Sequence, residues 1–209
     1  GKQISTFSEA HIVGASDALD WVAGFNIWTE DFDQDAVFSG SSLDFNSQTE
    51  GAFAQGTYLL TDRWIIEGGL RTDHTSDYGS FILPRASLLY KPASDTTIRI
   101  GGGLGYKKPT PFTEEAESIQ YRGVLPLDIS NLDAEQSVGM NVDISKSLEI
   151  GSDLSLNLNL LLFYTRVDNP LRLIQIDTDH FEFRQPNDTL ESRGTEINAV
   201  FRWDDFKIF

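Results

Sequence analysis

Between residues 154 and 164 large apolar side chains recur at every second position: Leu154, Leu156, Leu158, Leu160, Leu162 and Tyr164, with Ser155, Asn157, Asn159 and, just beyond, Thr165 on the alternate positions. A period of two places the first set on one face of an extended strand and the second on the other. A helix would scatter the same leucines around its axis. One face apolar along its full length and the other mostly polar is what a strand needs when it stands between lipid and a wet interior.

The pattern recurs. Val138, Met140, Val142 and Ile144 oppose Ser137, Gly139, Asn141 and Asp143, and Ile197, Ala199, Phe201 and Trp203 oppose Glu196, Asn198 and Arg202. Further strands are predicted over Leu19–Glu30, Ala52–Leu60, Trp64–Asp73, Ile82–Tyr90 and Thr96–Tyr106, with one more before Gly14. In Trp64–Asp73 the outward set is Trp64, Ile66 and Leu70, while Glu67, Arg71 and Asp73 point inward. No stretch reads as a helix with comparable clarity.

Connections carry a second, independent signal. Short links rich in Asp, Gly, Ser or Pro lie at Gly14–Ala18, Leu60–Asp62, Lys91–Asp95 and Ile150–Asp153. Long ones lie at Asp31–Gln48, Lys107–Asn131 and Asn169–Glu191, with Ser76–Ser80 intermediate. Short and long alternate down the chain, so the short ones gather at one end of the strands, as in a bacterial outer-membrane barrel. Apolar runs fall far short of the roughly 20 residues that a membrane-spanning helix requires, whereas a spanning strand needs only about 9–11. Trp21, Trp28, Tyr58, Trp64, Tyr90, Tyr106, Tyr164 and Trp203 sit near strand ends, where aromatic girdles form; ordinary core aromatics are the plainer reading of any one of them.

Charge and composition remove other classes. The 32 acidic residues outnumber the 16 basic ones, for a formal charge of −16, which repels phosphate backbones and leaves no basic patch for nucleic acid. There is no Cys, hence no disulfide framework, thiolate metal site or Cys nucleophile. His11, His74 and His180 are scattered, and no Ser-His-Asp set can be assembled around them. Asp31-Phe32-Asp33-Gln34-Asp35 starts like a calcium loop, but Ala36 and Ser42 stand where its Gly and bidentate Glu belong, so a solvated acidic loop is expected. Gly101-Gly102-Gly103-Leu104-Gly105 lacks the endings of a phosphate-binding loop, and its glycines fit close approach of another backbone. Neither a cofactor nor a metal site is expected, and no catalytic residue is assigned.

Several segments, taken in order, resemble strands of the barrel of TonB-dependent outer-membrane receptors. They are Gly51-Ala52-Phe53-Ala54-Gln55; Gly68-Gly69-Leu70-Arg71-Thr72-Asp73; Pro84-Arg85-Ala86-Ser87-Leu88-Leu89-Tyr90-Lys91-Pro92; and Thr97-Ile98-Arg99-Ile100 leading into Gly105-Tyr106-Lys107-Lys108-Pro109-Thr110. Asn131-Leu132-Asp133-Ala134-Glu135-Gln136-Ser137 is similar to the family's Asn-Leu-x-Pro-Glu-x-Ser start, with Ala134 in place of Pro, and Glu191-Ser192-Arg193-Gly194-Thr195-Glu196 to its late Ser-x-Gly-x-Glu pattern.

This resemblance implies an all-β chain: an antiparallel meander of about nine or ten strands, a segment of a transmembrane β-barrel of about 22 strands with a plug in its lumen. Residues 1–209 would then be a partial barrel domain. A signal peptide, the plug, the TonB-contacting segment and the remaining strands would lie outside them, in keeping with the leaderless opening Gly1-Lys2-Gln3-Ile4. The final Trp203-Asp204-Asp205-Phe206 reads as a turn just entered, which makes truncation the expectation for Phe209 despite its likeness to a terminal insertion signal. The implied role is that of a Gram-negative outer-membrane receptor for TonB-energised uptake of a scarce nutrient such as a metal–siderophore complex, cobalamin or an oligosaccharide. Its implied partners are the TonB complex, its own plug, a small nutrient ligand and outer-membrane lipid, with no nucleic acid.

Ligand contacts in such receptors come from loops and lumen-facing side chains. Candidates are Glu67, Arg71, Arg85, Arg99, Lys107 and Lys108, together with the links Lys107–Asn131 and Asn169–Glu191. The simpler reading of the inward charges, Glu135, Glu196 and Arg202 included, is that they pair with one another and solvate the wall. Two rival readings make different demands. A soluble extracellular β-sandwich or adhesin domain would turn the apolar faces into a dry core and leave loop lengths unsorted. A small barrel enzyme would bring a Ser or Asp to a His at the outer rim.

Overall fold

A computed structural model describes residues 2–33, 44–150, 153–203 and 206–208. The strands are β1 (Lys2–Ala15), β2 (Leu19–Asp33), β3 (Phe45–Thr61), β4 (Trp64–Thr75), β5 (Gly79–Ala93), β6 (Thr96–Lys107), β7 (Glu135–Ile150), β8 (Leu154–Asp168), β9 (Arg172–Gln175), β10 (Phe181–Arg184), β11 (Thr189–Trp203) and β12 (Phe206–Ile208). A five-residue helix α1 (Glu114–Ser118) and a 3₁₀ turn at Ile129–Asn131 lie between β6 and β7. No helix among the described residues is long and apolar enough to cross a membrane.

Ten strands form one antiparallel sheet in the order β1-β2-β3-β4-β5-β6-β7-β8-β11-β12, and β9 and β10 make a separate hairpin. The all-β meander expected from the sequence is therefore present. Its end strands, β1 and β12, are not hydrogen-bonded to each other, so the sheet is open. Strands run further than the alternation predicts at the long-link end. β3 starts at Phe45 rather than Ala52, because Ser47, Thr49 and Gly51 are small or hydroxylated and give no apolar beat, yet pair fully with Glu30, Trp28 and Asn26.

Register fixes the two faces. Leu154, Leu156, Leu158, Leu160 and Leu162 stand opposite Trp203, Phe201, Ala199, Ile197 and Thr195 on one side and Ile150, Leu148, Lys146, Ile144 and Val142 on the other. This apolar face is open: Phe25 is 58% exposed, Ile82 66%, Met140 55% and Ile197 72%. Buried apolar residues are instead Ala116, Val124, Leu132, Ala134 and Phe183, all in the long links or the hairpin they carry. The strands bury polar side chains: Asn26, Ser47, Thr49, Asp73 and Thr75. Burial is thus inverted relative to a water-soluble protein, and the expectation of a dry sandwich core fails, since among the described residues no second sheet packs on the leucine face.

Trp21, Tyr58, Trp64 and Trp203 lie on the apolar face near the short-turn end, where Trp64 stacks on Tyr90 at 4.1 Å and 19°. Trp28 and Tyr106, read as girdle residues, turn to the polar face. Trp28 is there by parity, opposite Thr49, and Tyr106 because β6 leaves β5. The β5–β6 ladder ends at Arg85–Gly103, next to Pro84 with its missing N–H, whereas β6 stays paired with β7 up to Lys107–Glu135. Past that point Tyr106 lies flat on Phe81, at 3.9 Å and 9°.

The two long links pack on each other. Ala116 of α1, Val124 and Phe183 of β10 form a core, with Ile119, Tyr121, Leu127, Leu171, Leu173 and Phe181 around it. A parallel bridge joins Val124 to Phe181, the Phe181 amide donating to the Gly123 carbonyl and the Leu125 amide to the Phe181 carbonyl. Gln185 then staples the links, accepting from the Asp133 amide at 2.8 Å and donating to the carbonyls of Asp133 and Asn169. Gln120 and Tyr121, at φ 56° and 57°, end α1 in the left-handed region, a cost of roughly 1–2 kcal/mol each that this core offsets.

Candidate functional site

At the long-link end of the polar face β2, β3 and β4 gather a polar centre around Asp73, which is 4% exposed. Arg71 sits two residues earlier on the same face, and its Nε donates to Asp73 Oδ2 at 2.9 Å while lying 2.8 Å from Oδ1. One guanidinium N–H reaches Asn26 Oδ1 at 3.2 Å, and the Tyr106 hydroxyl donates to Asp73 Oδ2 at 3.0 Å. Room for this comes from Gly51: a Cβ there would stand 2.5 Å from Asp73 Oδ1, 2.6 Å from Asn26 Oδ1 and 2.7 Å from the Arg71 guanidinium.

Beyond Tyr106 the chain crosses the polar face. Pro109 is fully buried, and the Lys108 ammonium donates to Ser47 Oγ at 2.6 Å and Thr49 Oγ1 at 3.0 Å, on β3, three places along the sheet order from β6. It also lies 5.9 Å from the Trp28 ring centroid, within cation–π range. Burial pulls the Lys108 pKa below the ordinary lysine value, against the opposing pull of Glu30, Asp77 and Asp73. Further on, Phe112 meets Phe32 edge-on at 4.9 Å and Tyr121 at 6.1 Å, tying this strap to β2 and to the two-link core.

Strap and sheet border a half-open cavity of about 670 Å³ whose lining includes Trp28, Glu30, Phe45, Arg71, Lys108 and Phe112. Its volume is that of a small-molecule site. The expected candidates divide between two places. Arg71, Lys107 and Lys108 line this cavity; Glu67, Arg85 and Arg99 line a shallower recess of about 490 Å³ floored by Gly101, Gly103 and Gly139. Lys107 is 3.7 Å from Glu135, whose carboxylate also accepts from the Leu171 amide. Glu196 accepts from Asn198 at 2.7 Å, and Arg202 faces Ser155 near the opposite end.

Trp28, Asp73 and Ser47 were not among the sequence's ligand candidates. Asp73 carried a legible signal, an inward carboxylate two residues from an inward arginine; Ser47 carried none. The Asp31–Asp35 run lies partly outside the described residues, with 34 and 35 among those not described. His74 Nδ1 is 2.9 Å from Ser80 Oγ and His180 Nδ1 is 3.0 Å from Asp177, and among the described residues neither pair has a third member.

Over residues 5–209 the sequence matches the family described as TonB dependent receptor-like, beta-barrel. No curated protein matches it by sequence. Among solved structures, the siderophore receptor PirA from Acinetobacter baumannii aligns over 97% of this chain and 34% of its own, with TM-score 0.66 and 15% identity. PirA from Pseudomonas aeruginosa aligns over 95% and 39%, with TM-score 0.73 and 15% identity. A double mutant of the Serratia marcescens hemophore receptor HasR, in complex with its hemophore HasA and heme, aligns over 95% and 39%, with TM-score 0.73 and 13% identity. The likeness is one of fold, and the chain spans little more than a third of each of these receptors. The family and these structures are transport receptors rather than enzymes.

Proposed function

This chain belongs to the TonB dependent receptor-like β-barrel family, and from that premise we propose that it forms part of the wall and mouth of a Gram-negative outer-membrane importer. Its leucine face meets lipid, and its polar face lines a lumen. The strap and the two-link core stand at the cell surface, over the cavity where a scarce nutrient is captured. Uptake is energised through TonB, which acts on a plug supplied by residues outside this chain, and further strands of the same receptor pair with the β1 and β12 edges. Metal–siderophore complexes, cobalamin and oligosaccharides are the cargo classes of this reading. Capture falls to Arg71, Lys107 and Lys108, while Glu67, Arg85 and Arg99 face the plug.

The pattern of burial supports the reading best: apolar strand faces open, the side chains that the strands do bury polar, and an apolar core confined to the links. A surrounding medium with no hydrogen bonds to offer suits that arrangement. It also disfavours the soluble adhesin alternative. The test is to express the full-length gene in a Gram-negative host lacking its own siderophore receptors. The protein should fractionate with the outer membrane and restore growth on a panel of ferric siderophores, cobalamin or oligosaccharides only when tonB is intact. Growth that ignores tonB, or recovery in the soluble fraction, overturns the proposal.

A further inference from the structure

The wall parts between β5 and β6. Their ladder stops at Arg85–Gly103, yet beyond that point β5 stays paired with β4 as far as Thr75–Gly79 and β6 with β7 as far as Lys107–Glu135. Two strand edges therefore face each other without bonding, and alternate residues on each turn their amides and carbonyls into the gap. A notch of about 510 Å³ lies there. By register Ile82, Leu104 and Val138 of its lining belong to the apolar face and Leu83, Gly105 and Ser137 to the polar one, so it reaches into the thickness of the wall. The stacked rings of Phe81 and Tyr106 form the partition behind it: Phe81 lines the notch, and Tyr106 lines the cavity on the polar side.

Polarity is graded along the notch. Nearest the long links lie Tyr78, Ser80 and Gln136, with Asp168 paired to Gln136 across the β7–β8 ladder. Toward the middle of the strands lie Ile82 and Leu104, 66% and 49% exposed, and Val138. Among the described residues the one charged group of the lining, Asp168, is held by Arg166 at 2.9 Å, so nothing there selects an anion. A strand added between the edges would call for side chains of alternating character, not a gradient. A molecule polar at one end and apolar along the rest matches the gradient, and its polar end supplies partners for backbone groups that cannot be left facing hydrocarbon. The apolar part of the notch is also continuous with the open apolar face of the sheet. The geometry points to the notch as a docking site for one lipid of the surrounding leaflet, its acyl chain against Ile82, Leu104 and Val138 and an uncharged, hydroxyl-bearing head among Tyr78, Ser80 and Gln136. This rests on the proposed lipid contact of the apolar face and adds to it a place where a single lipid is held.

The probe is a monoacylglycerol with a photoactivatable diazirine in its chain, irradiated with the full-length receptor in phospholipid vesicles and mapped by peptide mass spectrometry. Adducts should concentrate on the peptides bearing Ile82, Leu104 and Val138. Unlabelled monoacylglycerol should remove them at concentrations that leave the adducts on the Leu154–Leu162 face in place. Val138→Trp, whose ring fills the notch, should cut its labelling about tenfold, the effect of denying a place to roughly two buried methylene groups; Ile197→Trp, elsewhere on the apolar face, should leave it unchanged. The matching diazirine fatty acid, with a carboxylate head, should label the notch less well than the monoacylglycerol. Notch labelling no richer than that of the leucine face, labelling that no competitor saturates, full labelling in Val138→Trp, or preference for the carboxylate overturns the inference. Competition in the wild type decides even where Val138→Trp fails to insert. A labelled leucine face with no enrichment at the notch removes this inference alone, whereas a leucine face that takes no label removes the membrane reading on which it rests.

Discussion

Gly51 is where a single methyl group would do the most damage. Its missing side chain is the space into which Asp73, Asn26 and Arg71 converge, and none of the three is the far end of an unconstrained chain. Gly51→Ala should therefore cost about 1–3 kcal/mol, the usual price of overpacking, and loosen Tyr106 and the strap behind it. Denaturant unfolding in micelles, with proteolysis near Lys107 and Lys108, checks both parts. A second residue-scale prediction concerns pH. Asp128 caps the 3₁₀ turn, accepting from the Ser130 amide and hydroxyl and from Asn131, and those hydrogen bonds hold its carboxyl below the ordinary aspartate range. Since the folded pKa is the lower one, the stabilisation is complete above the unfolded value of about 3.9 and is lost as pH falls through the folded value. The Ser130 amide resonance should shift only on acidification below about pH 3.9, and Asp128→Asn should remove that transition.

At the scale of elements, strands and links behave differently because they are stabilised differently. Val124, Phe183 and Ala116 form a small water-excluding core that belongs to the links and not to the sheet. Phe183→Ala should cost about 3–5 kcal/mol locally, opening Arg122 and Arg184 to trypsin while the strand β-signal in circular dichroism persists. Loss of both together would mean that links and sheet unfold as one unit. The same division decides what could be read from the chain beforehand. Strand faces were legible wherever one face is apolar without a break and imposes a strict beat, as at Leu154–Leu162 and Val138–Ile144. α1, the β9–β10 hairpin and the bridge between Val124 and Phe181 were not, because short irregular segments held by contacts far apart in sequence leave no period to find. Arg71 and Glu67 fall on the polar face of β4, but which charges gather in which recess was not legible, since the path of Lys108 across to β3 depends on β6 parting from β5.

For the whole molecule the proposed membrane setting gives the surroundings the part that a core plays elsewhere. Leu158→Arg, at the middle of the leucine face, should destabilise the bilayer-inserted receptor by about 2–4 kcal/mol, whereas Asn159→Arg, one residue along on the polar face, should not. Refolding titrations into lipid vesicles compare the two. Likewise, these 209 residues alone should form a defined β-particle in detergent micelles and associate without them; sedimentation with circular dichroism decides, and a compact monomer in plain buffer would bury the leucine face in protein after all. The plain order of the sheet bears on how such a molecule is made. Apart from the hairpin between β8 and β11, each strand of the sheet pairs with its neighbours in the chain, so no strand has to pair across another strand of the sheet, and only the long links add appreciable loop closure. Construction can then proceed like a zip, one hairpin at a time. The most recent strand always offers a free row of amides and carbonyls to the next, and the growing rim itself serves as the template for assembly.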